Sequence, residues 1–354
     1  MMSTDGGMLE IDLGAIVGNW RALGVRHPSG PVAGVVKADA YGLGAARVAP
    51  ALFAAGCRHF FVAQLSEALA IRDLVPGALL AVLNGAVPGT EARFAARGIV
   101  PVLGSLDAIG RWHARGPAIL HVDTGMNRLG LDGRELAALR AEPGRLAGLD
   151  LLYLMTHLVA SEVPEDADNP RQAAAFAAVG ALMPGVKRSF ANSSGLFLGD
   201  DFASDLARPG AALYGINPTP GRPNPMRPVV RLRAPVLQLR EIATGASVGY
   251  NATWRAARPS RIATASVGYA DGWPRTLSSR GHAIFDGRAV PLVGRVSMDL
   301  TTYDVTDFPM IAAGSWLDLV APDMTVDAVA AAAGTNGYEI LTRLGARYTR
   351  MYSG

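Results

Sequence analysis

The chain has 354 residues, half of them hydrophobic and 18% charged, with a net charge of +3. That composition excludes a disordered chain. The small, dispersed charge excess argues against nucleic-acid or membrane-surface binding, and a single cysteine excludes an internal disulfide and a cysteine-rich zinc site.

At roughly 150 residues per domain, two domains are expected. The opening "MMSTDGGMLEIDLGA" carries acidic residues and three glycines where a signal peptide needs a basic start and an apolar run. No apolar stretch approaches the length of a membrane span. A cytoplasmic protein is therefore expected. "MLEIDLGAI" reads as a strand leading into a helix, and residues 1–9 are expected to pair with the second domain.

Apolar, β-rich runs then recur at "PVAGVVKA", "HFFVAQ", "ALLAVLN", "IVPVLG", "AILHVDT", "LLYLMTH", "RSFANS" and "AALYG". Alanine- and leucine-rich segments with helical spacing, such as "GAARVAPALFAAG", lie between most of them. Unbroken apolar strands alternating with helices imply a parallel sheet covered by helices. Eight such units make an N-terminal (β/α)8 TIM barrel, expected over 10–222. "GRPNPMRP" then carries three prolines in eight residues and reads as a boundary. Beyond it, short alternating segments bounded by Gly, Pro or Asp predict a mainly antiparallel β domain over 223–354. "TVDAVAAAAG" and "GYEILTRLG" read as helices near its end.

The barrel reading locates a site. In this fold, functional residues sit on the loops that follow the strands. The polar exceptions fall there: Lys37, Asn84, Asp123, Arg128, His157, Asn192, Ser193 and Arg208. Lys37 is notable because the chain has only two lysines, Lys37 and Lys187, among its 33 basic residues. Arginine cannot lose its proton near neutral pH, whereas a buried lysine can, which makes lysine the usual Schiff-base residue. Such a lysine commonly serves pyridoxal phosphate. A phosphate is expected near the last two barrel strands. "FANSSGL" (190–196) and "ARPGAALYG" (207–215) occupy that place, although turn-forming Ser and Gly explain these loops about as well.

"VVKADAYGLGA" (35–45) resembles the pyridoxal-lysine signature of alanine racemases. The likeness continues, in the family's order, through "HVDTGMNRLG" (121–130), "MTHLVASE" (155–162), "ANSSG", "RPGAALYG", "SVGYNATW" (247–254), "VGYADGWPR" (267–275), "VGRVSMDL" (293–300) and "GTNGYEILTRL" (334–344). The resemblance implies pyridoxal 5'-phosphate as cofactor, bound in the barrel, and no metal. It implies L-alanine and D-alanine as substrates, with D-alanine supplied for peptidoglycan or alanine consumed in catabolism. It also implies a homodimer with shared active sites.

Roles follow from the same resemblance. Lys37 would hold the cofactor covalently and act as one catalytic base; Tyr250, from the partner subunit, would be the other. Tyr41, Tyr338, Ser193, Gly210 and Ala211 would hold the phosphate, with Asn192 beside them. Arg208 would face the pyridine nitrogen and His157 would stack on the ring. Arg128, Met298 and Asp299 would meet the substrate carboxylate, and Tyr269 would narrow the entrance. A phenol is a poor base at neutral pH, and positive charge relayed from Arg208 through His157 is the implied help.

Two positions depart from the family pattern. Many members carry a carbamylated lysine two residues before "DTGM", where this chain has His121, and many read "SYG" where this chain reads "VGYN". A pyridoxal-dependent decarboxylase of similar shape would want an acid opposite the ring nitrogen and a cysteine late in the chain, but the cysteine is Cys57. A non-catalytic pyridoxal-phosphate carrier would have no use for the β domain. A racemase of wider range is the third alternative; Tyr338 beside the cofactor favours a small side chain.

Overall fold

A computed structural model describes residues 6–354. They form two compact units, one made of the residues up to Ala15 with Pro228–Gly354, the other of Ile16–Arg227. Of the N-terminal segment expected to join the second domain, residues 1–5 lie outside the described residues. Strand β1 (Met8–Asp12) pairs antiparallel to one strand and parallel to another of that unit.

The unit Ile16–Arg227 is the barrel. Strands β2 (Gly34–Val35), β3 (His59–Val62), β4 (Leu79–Val82), β5 (Val100–Leu103), β6 (Pro117–His121), β7 (Asp150–Met155) and β8 (Lys187–Ser189) are parallel neighbours in chain order. An eighth position closes the ring, and it is only Leu206–Ala207. Leu206 bridges to Ser189 and Ala207 to Val32, both in parallel. Ala33 N–H donates to Ala207 O at 2.9 Å, and Ala207 N–H donates to Pro31 O at 3.1 Å. The expectation of a strand at "AALYG" is thereby corrected: Ala211–Tyr214 is a 3-10 turn. Inward side chains at alternate positions fill the interior, among them Val35, Phe61, Ala81, Val102, Ile119 and Leu206. Burial on both faces explains the unbroken apolar runs. Cys57 is buried in the same unit, and burial pushes its thiol up to about 11.

The other unit is mainly antiparallel. Strand β9 (Val230–Ile242) is its spine, pairing with β1, with Ser260–Ala265 and with Trp316–Val320. His282–Phe285 and Arg288–Pro291 form a hairpin on the same sheet, and Thr301–Asp304 pairs with Ser260–Ala265. Two helices appear where expected, Val326–Ala333 and Gly337–Arg343. Thr325 caps the first by accepting from Ala328 N–H, and Gly334 ends it at φ 74°. No described helix is long and apolar enough to cross a membrane.

Candidate active site

Lys37 follows β2 with only Val36 between, on the C-terminal rim of the barrel. The chain then makes a turn of the wrong hand. Ala38, Asp39 and Ala40 have φ of 51–54° and ψ of 49–52°, and Tyr41 has φ 56°. Left-handed helical backbone costs L-residues roughly 1–2 kcal/mol each, so this segment stores strain that its surroundings must hold. Ala40 N–H donates to Val36 O at 2.9 Å, and Gly42 N–H donates to Ala38 O at 2.7 Å. Asp39 Oδ1 accepts from Ala45 N–H at 2.7 Å. Glu67 Oε1 accepts from Ala38 N–H at 2.6 Å. The Tyr41 ring rests on the Tyr214 ring, centroids 4.7 Å apart.

Tyr41 also reaches across to Gly210. A Cβ at Gly210 would lie 2.1 Å from the Tyr41 hydroxyl, so only glycine fits. Ser193 Oγ accepts from Gly210 N–H at 3.0 Å and from Ala212 N–H at 3.1 Å, joining the loops after β8 and after Leu206–Ala207. Ala211 opens the 3-10 turn between these two amides. Asn192 Oδ1 accepts from Gly195 N–H and from Ser161 Oγ, so its carboxamide oxygen shapes the loop.

Arg208 is 5% exposed and donates to Ser189 Oγ at 2.5 Å and to Thr156 O at 2.6 Å. Burial alone brings its pKa down to about 10, and it forms no ion pair with a carboxylate among the described residues. It remains a buried cation at neutral pH. Beneath it lies a network that the sequence did not announce. The Gln172 amide donates to Thr124 Oγ1 and to His157 O, its carbonyl accepts from Val159 N–H, and the Thr124 and Thr156 hydroxyls lie 2.8 Å apart. It ties the loop that carries Arg128 to the end of β7.

The charges here favour neutral nitrogen bases. Burial lowers His157 to about 3, helped by Arg208, Arg128 and Lys37. Burial, then Arg208, lowers His121 to about 4, against an opposing pull from Asp123. Lys37 is lowered by burial and by Arg128, while Glu67 pulls it up. His121 is thus neutral and brings no anion to Arg128. The histidines also carry a pH dependence. Their folded pKa values lie below the unfolded value of about 6.5, so the unfolded chain binds more protons and stability falls as pH drops below about 6.5 towards 4. Each contributes a slope of up to about 1.4 kcal/mol per pH unit. Replacing His121 by glutamine should flatten the acid limb of the denaturation curve by that amount. An unchanged limb would mean that His121 is not buried as a neutral ring.

Five candidates lie in the other unit. Tyr250 sits at the tip of the hairpin Ser247–Val248 and Trp254–Arg255 and is 66% exposed. Val248 and Trp254 pack this hairpin against Ile262 and Val293. Tyr269 and the Met298–Asp299 segment form one piece: Tyr269 N–H donates to Ser297 O, and Ala270 N–H donates to Met298 O at 2.9 Å. A Cβ at Gly268 would fall 2.3 Å from Met298 O, so this approach requires glycine. Arg347, absent from the sequence reading, locks the piece with two bonds to Asp271 and one to Asp299. Tyr338 is the second residue of the helix Gly337–Arg343, which Asn336 caps.

Residues 11–218 match the family model "Alanine racemase, N-terminal domain", and residues 229–352 match "Alanine racemase, C-terminal domain". Alanine racemase of Acidiphilium cryptum is 60% identical over 349 residues, 97% of this chain and 98% of that one. Alanine racemase of Rhodospirillum rubrum is 52% identical over 98% of this chain and 96% of its own. Among solved structures, alanine racemase of Bartonella henselae, described with covalently bound pyridoxal phosphate, superposes with a TM-score of 0.95. It is 44% identical and covers 98% of this chain and 99% of its own.

Proposed function

The chain belongs to the alanine racemase family, and we propose how its own residues carry the interconversion of L-alanine and D-alanine. When bound, pyridoxal 5'-phosphate supplies the electron sink that makes the α proton of an amino acid removable. Two observations fit that group to this barrel. Arg208 is a buried cation with no carboxylate partner among the described residues, suited to face a ring nitrogen. The Gly210 cradle leaves no room for a side chain against Tyr41. The ligand would be held by Lys37 covalently, by Tyr41, Ser193, Gly210, Ala211 and Tyr338 at its phosphate, and by Arg208 and His157 at its ring. Asn192 shapes the loop beneath.

Racemisation takes the α proton from one face and returns one on the other, so a base is needed on each. Lys37 serves the face from which D-alanine loses its proton. Its lowered pKa keeps more of the amine unprotonated and able to accept at Cα. Tyr250 serves the opposite face, contributed by the second subunit of a homodimer. Its exposure on a well-anchored hairpin supports a partner covering it. Arg128 and the Met298–Asp299 segment orient the substrate carboxylate, and Tyr269 narrows the approach. Arg208 donates a hydrogen bond and keeps its proton, which favours return of the proton to Cα over other outcomes. The cytoplasm is the proposed location.

The observation that carries this reading is the buried Arg208, which has no carboxylate partner among the described residues, on the same rim as Lys37, whose pKa is lowered. Incubation of the purified protein with L-alanine in D2O tests it. Optical rotation should vanish as deuterium enters Cα. Retained optical purity, or release of CO2, would reject it.

A further inference from the structure

Glu67 has no part in the roles above, yet it touches the most strained backbone on the rim. Its Oε2 accepts from Ala63 N–H at 2.7 Å and from Gln64 N–H at 2.9 Å, which fixes the carboxylate at the start of the helix Leu65–Ile71. Its Oε1 reaches 29 residues back to accept from Ala38 N–H at 2.6 Å. Ala38 is the first residue of the left-handed turn and the immediate neighbour of Lys37. A carboxylate that served only as a helix cap would need the first two bonds and not the third.

We propose that Glu67 is a positioning residue for Lys37, its carboxylate holding the backbone just past the lysine in the left-handed turn and so aiming the amine. The role rests on the assignment of Lys37 given above. The carboxylate also acts on the amine through charge. The groups acting electrostatically on Lys37 are Arg128, from the loop after β6, and Glu67; His157, at the end of β7, feels Lys37 in turn. Asp39 lies in the turn itself but is engaged with Ala45. Arg128 favours the free amine, and Glu67 is the group that favours its protonated form.

The full chain, stripped of cofactor and reloaded with pyridoxal 5'-phosphate, gives the test, read as the rate at which the visible absorbance of the bound cofactor returns. Glu67→Asp keeps the charge and can still cap its own helix, but it is one methylene too short to span to Ala38. It should reload roughly tenfold or more slowly, the scale of one charged hydrogen bond. After reloading, kcat should fall while KM for D-alanine stays put. Glu67→Gln keeps the length and removes the charge. Its pH profile of reloading should move to lower pH, because the influence that raises the Lys37 pKa is gone. Wild-type rates and pH profiles in both variants would overturn the role, as would a loss explained entirely by a lower fraction of folded protein. Lys37→Arg separates the two claims. Covalent attachment surviving in that variant would overturn the assignment of Lys37, and the role of Glu67 with it. Attachment lost there, with both Glu67 variants normal, would overturn the role of Glu67 alone.

Discussion

Lys37→Arg should leave a folded protein that no longer binds pyridoxal 5'-phosphate covalently and does not racemise alanine. The charge is conserved, so the electrostatic balance with Arg128 and Glu67 is largely kept. What disappears is an amine that can lose its proton. Burial and Arg128 push the Lys37 pKa down, whereas a guanidinium stays protonated throughout the working range. In the proposed roles, one substitution thus removes both the tether and the base on one face. Turnover should fall by about four orders of magnitude or more, since general-base catalysis alone is worth roughly 10²–10⁴-fold. Absorbance of the denatured, borohydride-treated protein and a polarimetric assay report the two losses separately. A variant that still carries covalent cofactor and turns over would place the chemistry elsewhere.

Tyr250→Phe should give the complementary result, with cofactor retained and racemisation lost in both directions. The hairpin that carries Tyr250 is held by Val248 and Trp254, not by the phenol. At 66% exposure the ring contributes little to stability, so the change in folding free energy should stay within about 0.5 kcal/mol. The hydroxyl oxygen is the only atom removed. Every turnover exchanges a proton between faces, so loss of one base stops L-to-D and D-to-L conversion alike. The fall in kcat should be roughly 10²–10⁴-fold. Equal slowing in the two directions, with the cofactor spectrum intact, is the signature to look for.

Much of this architecture could be read from residue patterns, and the exceptions have physical causes. The runs that became β3–β6 are buried on both faces for most of their length, which leaves little ambiguity in "HFFVAQ" or "AILHVDT". The eighth was misplaced because "AALYG" is equally apolar. The ring closes at Leu206–Ala207, two residues whose strand character comes from bridges to Ser189 and Val32 and not from any local pattern. Strands Trp316–Val320 and Thr349–Ser353 also escaped notice. "TRMYS" reads as polar, and its order comes from pairing with β1.

The site divides in the same way. Lys37, His157 and Arg208 stood out as polar interruptions at strand ends. Their supports did not. Nothing in "KADAY" announces positive φ at four successive non-glycine residues, since alanine and aspartate prefer the ordinary hand. Glu67 lies 29 residues from the amide it holds, and Gln172 lies 48 residues from Thr124. A "Q-x-x-E" start at Gln64 hints at a helix cap, but no local signal points from there to Ala38.

Mixing two inactive proteins tests the central claim most directly. If Lys37 of one subunit works with Tyr250 of the other, a hybrid dimer of Lys37→Arg and Tyr250→Phe protomers has one site with both bases and one with neither. After complete subunit exchange half the dimers are hybrids, so about a quarter of wild-type activity should return. Hybrid dimers demonstrated by native mass spectrometry that remain inactive would show that the two bases do not meet across a subunit boundary.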